Sequence, residues 1–305
     1  MSKLITVFGA TGNQGGSVIH TLLADPVLSR EFRIRGITRD TSKPAAKELA
    51  EKGVELMSAD LSSVASVARA IQDAHTVFLV TNYWETMSRD TEYSQGKNVA
   101  DAAKAAGISH LIFSSLIHVT EATKGALPNV PHFDGKADIE KYIRAIGVPA
   151  TFVLPGYFMS NLISSLKKEE DDSYQMVLPV SDVARFPLFD AVSDTGKFVA
   201  AAIKKRSTVL GKDIYEAADY YSPSRIVKEF TEVTGKPASW TQVPADQWKQ
   251  YLPPAMAQEV LENYLLLEAP GYYAGADLKE SHDLLEQKPT TWKEFVTKNK
   301  AKFSA

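Results

Sequence analysis

The sequence predicts an α/β chain: a Rossmann-type, doubly wound parallel sheet over residues 1–156, followed by a smaller, mostly helical substrate lobe over residues 157–305. Three observations carry this. A short apolar run, Leu4 to Phe8, leads into Gly9-Ala10-Thr11-Gly12-Asn13-Gln14-Gly15-Gly16, and Val18, Ile19, Leu22 and Leu23 then repeat at helical spacing. Up to Phe158, short apolar segments alternate with helix-spaced ones, the pattern of right-handed crossovers in a parallel sheet. Beyond about residue 160 that alternation loosens.

The first strand, turn and helix form a candidate pyrophosphate site. Free N–H groups and the dipole at a helix N-terminus favour an anion. Glycine permits the tight turn and the close approach of a phosphate. The spacing Gly9-x-x-Gly12-x-x-Gly15 departs from the commonest G-x-G-x-x-G, and a glycine turn alone is weak evidence; the flanking strand and helix give it meaning.

Phe32 to Thr38 reads as the second strand, ending at Arg39, with Lys43 four residues later. The end of this strand faces the adenosine ribose. Two cations there argue for a 2′-phosphate and hence NADP(H), against the plainer reading of Arg39 as a surface charge beside Asp40. Lys47–Glu51 is a short helix and Val54–Met57 the third strand. Asp60 then lies near the adenine, with its backbone and Leu61 forming the base pocket, or caps the helix carrying Val64, Val67, Ala68 and Ile71. Thr76–Val80 is a nearly continuous apolar strand, the pattern of a central parallel one. Its end, Thr81-Asn82-Tyr83-Trp84, borders the cofactor, and the two aromatics either wall a nicotinamide or substrate pocket or pack the loop onto the sheet.

A long helix from about Asp90 to Ala106 stops at Gly107, and His110–Phe113 is strand five, followed by Ser114-Ser115. Leu116 to Pro131 has no period and reads as a loop over the site or a mobile cover. His132 opens a helix that stops at Gly147; Ala150–Leu154 is strand six, and Pro155-Gly156-Tyr157-Phe158 marks another strand end. Later strands are expected at Met176–Val180 and Asp213–Ala217, extending or flanking the main sheet. Helices are expected at Asp194–Lys204, from Ser222-Pro223 to Gly235, and near 245–251, 255–267, 278–285 and 291–300.

Composition narrows the functional classes. Hydrophobic residues make up 44% of 305, enough for a large core. A net charge of −3, from 34 basic and 37 acidic residues, gives no basic surface for direct nucleic-acid binding. The absence of cysteine removes disulfides, thiolate metal sites and a cysteine nucleophile, and fits a reducing compartment. No signal peptide and no membrane-length apolar run is read, so the cytoplasm is the expected location, with the nucleus a second one for a regulator. The six histidines show no paired metal-ligand spacing, and no G-x-S-x-G elbow is present.

The glycine stretch, Thr38-Arg39, Thr81-Asn82-Tyr83-Trp84-Glu85 and His132-Phe133-Asp134-Gly135-Lys136 together resemble the NmrA-like family, an atypical branch of the short-chain dehydrogenases/reductases, most closely its NADPH-sensing HSCARG type. The resemblance extends to Trp292–Phe295. It implies an NADP(H) site: Gly9, Ala10, Thr11, Gly12, Asn13 and Gln14 on the pyrophosphate, Arg39 and Lys43 on the 2′-phosphate, and Asp60 and Leu61 on the adenine. Thr81, Asn82 and Tyr83 would line the middle of the cofactor, Lys136 the nicotinamide ribose, and Tyr157 and Phe158 the nicotinamide end.

Ordinary members of that superfamily use Tyr-x-x-x-Lys; here Lys136 keeps the lysine, but the tyrosine position is His132. A histidine, with an ordinary pKa of about 6.5, can act as a general acid, or His132 can simply follow Pro131 into the helix. In isoflavone-reductase-like relatives the lysine moves the proton. The resemblance therefore implies either a sensor of NADPH/NADP that regulates a protein partner such as a transcription factor, or an NADPH-dependent reductase of a small aromatic or carbonyl substrate (a quinone, imine or enone) with Lys136, alone or together with His132, as proton donor. The chain is expected to be a monomer or homodimer.

Overall fold

The computed structural model describes residues 2–303. Its centre is a seven-stranded sheet, all of whose pairings are parallel. In chain order its strands and flanking helices are β1 (Lys3–Phe8), α1 (Asn13–Ala24), β2 (Phe32–Thr38), α2 (Pro44–Glu51), β3 (Glu55–Ser58), α3 (Val64–Ala70) and β4 (Thr76–Leu79). There follow α4 (Arg89–Ala105), β5 (His110–Ser114), α5 (Pro131–Ile146), β6 (Ala150–Pro155), α6 (Ala191–Lys204) and β7 (Asp213–Glu216). The spatial order is β7-β6-β5-β4-β1-β2-β3. It reverses direction between β1 and β4, where an open α/β sheet leaves a crevice at the carboxyl ends of its strands.

Both faces of the sheet are covered, so its strands are apolar on both sides. Val77 and Leu79 of β4 join Val99, Ala103, Ile139 and Ile143 of α4 and α5 on one face. Phe78 joins Ile5, Val7, Val18, Ile19, Leu22, Phe198 and Val199 on the other. Helices α1 and α6 approach closely there: a Cβ on Gly196 would collide with the Thr21 hydroxyl and the Ser17 carbonyl, and the Gly196 N–H donates to the Ser17 hydroxyl at 3.0 Å.

Part of the chain after residue 156 is interleaved with the main sheet. Residues 191–216 return to the first unit, with α6 against α1 and β7 as the seventh strand beside β6, Asp213 opposite Phe152. The segment expected at 213–217 thus extends the main sheet. The one expected at 176–180 is Tyr174–Leu178, which lies in a separate three-stranded sheet with Leu166–Lys168 and Ala238–Gln242. A second small sheet joins Tyr157–Phe158, Phe186–Phe189 and Asp219–Tyr221. The rest of this region is helical, chiefly α7 (Pro223–Thr234), α8 (Pro254–Leu265) and α9 (Trp292–Asn299). Ser222 caps α7 and a left-handed Gly235 ends it, as the sequence predicts, while Thr291 and Glu294 form a capping box on α9.

Residues 116–131 are built into the structure rather than draped over it. Val119 and Val130 are fully buried, Val119–Ala122 makes a helical turn, and the Asp134 carboxylate receives the Thr120 N–H and hydroxyl at 3.2 and 2.5 Å. The Glu262 carboxylate of α8 accepts from the Asn129 backbone and side chain, both at 2.6 Å.

Two predictions follow from this packing. Gly196→Ala forces a methyl group into backbone at the α1–α6 crossing and should cost about 1–3 kcal/mol, read from urea unfolding. His110, buried on β5 with its ring beside the Thr151 hydroxyl, has its pKa pushed down to about 4, first by burial and then by Arg206 and His75. The unfolded chain, with a histidine near 6.5, binds the extra proton first, so stability should fall as pH drops from about 6.5 to 4, by up to about 1.4 kcal/mol per pH unit from this group. Urea midpoints across that range should fall less steeply in His110→Gln.

Candidate functional site

At the crevice the chain leaves β1 and turns into α1 around three glycines. Gly9 has φ +68°, in the left-handed region. Its carbonyl accepts from the Gly12 N–H at 2.9 Å, and a Cβ on Gly15 would overlap that same carbonyl. Gly12 is the N-cap; no side chain caps the helix and no acidic residue occupies its first turn. The first N–H groups of α1 are therefore open to an anion placed in the crevice.

A cavity of about 1280 Å³ runs along the carboxyl edge of the sheet from this loop in both directions. It brings together Gly9, Thr11, Gly12, Asn13, Gln14, Arg39, Lys43, Asp60, Leu61, Thr81, Asn82, Tyr83, His132, Lys136, Tyr157 and Phe158. Ala10 stays out of the wall: it is fully buried, its N–H donates to the Ile37 carbonyl at 3.0 Å, and its Cβ packs toward Gly36. The Gln14 side chain is held by the Ser114 hydroxyl at 2.8 Å, which fixes the loop to the end of β5.

At the β2 end, the Arg39 guanidinium contacts the Glu85 carboxylate. Asp40 does not compete for it; its carboxylate accepts from the Ser42 N–H and hydroxyl at 2.8 and 2.6 Å. Asp60 lines the cavity and bonds the Ser62 N–H at 2.8 Å, whereas the N-cap of α3 is Ser63. The capping role weighed for Asp60 thus falls to Ser63.

At the other end two buried carboxylates hold the candidate catalytic groups. The Lys136 ammonium contacts Glu92 and donates to the Thr81 hydroxyl at 3.3 Å, while Thr81 donates to Glu92 at 2.7 Å. Lys136 and Glu92 side chains are only 11% and 1% exposed, so this is an interior ion pair. The second carboxylate, Glu259, comes from α8. It accepts the Tyr83 hydroxyl at 3.0 Å and the His132 backbone N–H at 3.3 Å, and touches His132 Nδ1. Burial lowers the pKa of His132 despite the opposing pull of Glu259. That shift disfavours the imidazolium form. Burial, reinforced by Glu259, raises that of Tyr83, which stays protonated.

Beyond these groups the cavity opens into a chamber lined by Phe133, Tyr157, Trp248, Met256, Val260, Asn263, Tyr264 and Tyr272. The Tyr157 and Tyr264 hydroxyls pair at 2.7 Å; Asn263 lines the chamber, and its amide nitrogen is buried without a hydrogen-bond partner. Sequence reasoning missed Glu92, Glu259 and this α8 face. Each acid sits on an amphipathic helix at a position indistinguishable from a solvated one, and only the fold shows that Lys136 or His132 lies opposite.

A parallel sheet with an uncapped glycine-rich loop at its switch point, and a lysine without its partner tyrosine, defines an atypical dinucleotide-fold protein. The model of the NmrA-like family matches residues 1–296, and the chain belongs to that family. It is 31% identical over 267 residues to the NmrA-like family domain-containing oxidoreductase ptmS of Penicillium ochrochloron, covering 82% of this chain and 78% of that protein. Among solved structures it superposes on NmrA, a negative transcriptional regulator in complex with NADP, with a TM-score of 0.83 and 23% identity over 97% of this chain and 94% of that one. It superposes on the NADPH-dependent quinone oxidoreductase QOR2 of Escherichia coli, in complex with NADPH, with a TM-score of 0.78 and 21% identity over 96% and 99%.

Glu259→Ala leaves the Tyr83 hydroxyl and the His132 ring N–H buried and unpaired. It should cost about 1–3 kcal/mol in urea unfolding and move the His132 pKa further down, read by NMR titration of the imidazole.

Proposed function

We propose that this chain is an NADP(H)-dependent oxidoreductase acting on a small, apolar, conjugated substrate of the quinone, imine or enone type. The observation that carries this is the chamber: the cavity continues past Lys136 into an aromatic-walled space that a dinucleotide alone has no use for. The residues present fit the cofactor. Open N–H groups of α1 and glycines that leave room at the loop suit a pyrophosphate. Arg39 and Lys43 would hold a 2′-phosphate, Asp60 and Leu61 the adenine, and Thr81, Asn82, Tyr83 and Lys136 the nicotinamide half. Bound there, the cofactor supplies a hydride equivalent. NADP complexes of NmrA and the NADPH complex of QOR2 support the cofactor by analogy of fold.

The chain's own part is to bind, orient and protonate. Lys136 is the cation at the chamber's edge; two of its three N–H directions go to Glu92 and Thr81, leaving one for a substrate oxygen or nitrogen. The aromatic side chains of the chamber offer flat apolar faces to a planar substrate. His132 contacts Glu259 and packs its ring against Tyr83 and Phe133; its lowered pKa leaves Lys136 the better proton donor.

A second reading, a sensor of NADPH/NADP that regulates a protein partner, draws on one observation: Glu259 joins His132 and Tyr83 at the cofactor edge to α8, a link through which cofactor state could reach an outer surface. NADPH oxidation across a panel of quinones, imines and enones separates the two. The reductase reading expects turnover that falls at least about 100-fold in Lys136→Met. Tight NADPH binding with no turnover of any panel member favours the sensor.

A further inference from the structure

We propose that Glu85 sets the chain's choice between NADP(H) and NAD(H), by occupying through Arg39 the place of the 2′-phosphate; a 2′-phosphorylated dinucleotide must displace it and open the Tyr83–Met87 turn. The proposal rests on the reading of the cavity as a dinucleotide site.

The geometry is direct. Arg39 and Glu85 both line the cavity, and the guanidinium contacts the Glu85 carboxylate. That carboxylate is an internal anion on the cation expected to take the phosphate. The pair is open to water, with the Arg39 and Glu85 side chains 71% and 47% exposed. Such a pair is weak and exchangeable, whereas a phosphate offers a guanidinium a more highly charged, bidentate partner. Once the phosphate holds Arg39, an adjacent Glu85 becomes a like-charge neighbour and is driven away.

Glu85 sits on a short turn whose first residue, Tyr83, is buried and anchored by Glu259, so the movement is confined to Trp84–Met87. Tyr83–Glu85 is a single 3-10 turn, held by the Tyr83 carbonyl, which accepts from the Thr86 and Met87 N–H groups at 3.2 and 2.8 Å. Met87 closes it with φ +50°, a left-handed conformation that disfavours any residue but glycine. Its neighbour Trp84 stands at the cavity with 45% of its surface exposed. With NADH, which lacks the phosphate, Arg39 keeps Glu85 and the turn stays closed.

Calorimetric titration of wild type, Glu85→Gln and Arg39→Ala with NADPH and NADH tests the preference. Glu85→Gln should tighten NADPH binding about three- to fivefold while leaving NADH unchanged within about 1.5-fold, and Arg39→Ala should weaken NADPH selectively. If Arg39→Ala weakens NADPH but Glu85→Gln leaves the NADPH/NADH ratio unchanged, the inference on Glu85 fails while the dinucleotide reading stands. If wild type binds neither cofactor, both fail. Hydrogen exchange at Thr86 and Met87 reads the movement: it should quicken with 2′,5′-ADP but not with 5′-ADP, and already be fast in ligand-free Glu85→Gln. Unchanged exchange with 2′,5′-ADP would overturn the opening of the turn.

Discussion

The constraint on which the rest of this structure depends is the contact between the start of α1 and the end of β1. Gly15 passes so close to the Gly9 carbonyl that no side chain fits between them. That contact brings the helix axis down onto the crevice with its first N–H groups uncapped. A serine or aspartate cap would have satisfied those groups and removed the anion site. The hydrogen bond from Ser114 to Gln14 and the packing of Ala10 against Gly36 then hold the loop to β5 and β2. The site is thus a property of rigid sheet and helix ends, with its loops fastened to them.

The later part of the chain reaches this rigid edge through one helix face. Glu259, Glu262 and Tyr264 of α8 bond to Tyr83 and His132, to Asn129, and to Tyr157 respectively. Three separate strand-end loops are in this way tied to a single element. The same face brings Val260 and Asn263 to the chamber. The helix that walls the chamber therefore also orders the loops that border the Lys136 end of the cavity, so the shape of the chamber and the position of Tyr83 and His132 are coupled through buried hydrogen bonds.

The Rossmann half was legible because its signals are local. Strand periodicity, the glycine loop and the stop at Gly147 each depend on a few neighbouring residues, as does the cap of α7 in the later region. The strand ends that line the cavity follow from topology once the order of strands is known. What the sequence did not disclose depends on contacts between distant residues. β7 lies nearly sixty positions from its partner β6, and nothing in Asp213–Glu216 says which sheet it joins. Residues 116–131 lack a period yet are fixed by Asp134 and Glu262, which are themselves ordinary helix acids until their partners are placed. Arg39 was read as a cation for a phosphate; that Glu85 already answers it is visible only when the end of β4 is brought beside the end of β2.

The two ends of the cavity use opposite kinds of ion pair, and the difference has mechanical meaning. Lys136 and Glu92 are shielded from water, and breaking a shielded pair leaves an uncompensated charge at a cost of about 3–5 kcal/mol. Lys136 is therefore fixed in place before any ligand arrives, with Thr81 bridging to the same carboxylate. Arg39 and Glu85 face solvent, where an ion pair contributes about 0–1 kcal/mol and exchanges easily. A ligand lying along the cavity thus meets a preorganised end where proton transfer would demand fixed geometry, and an adjustable end where only recognition is needed. On the proposed reductase reading, preorganisation is concentrated where a displacement of an ångström would matter most for chemistry.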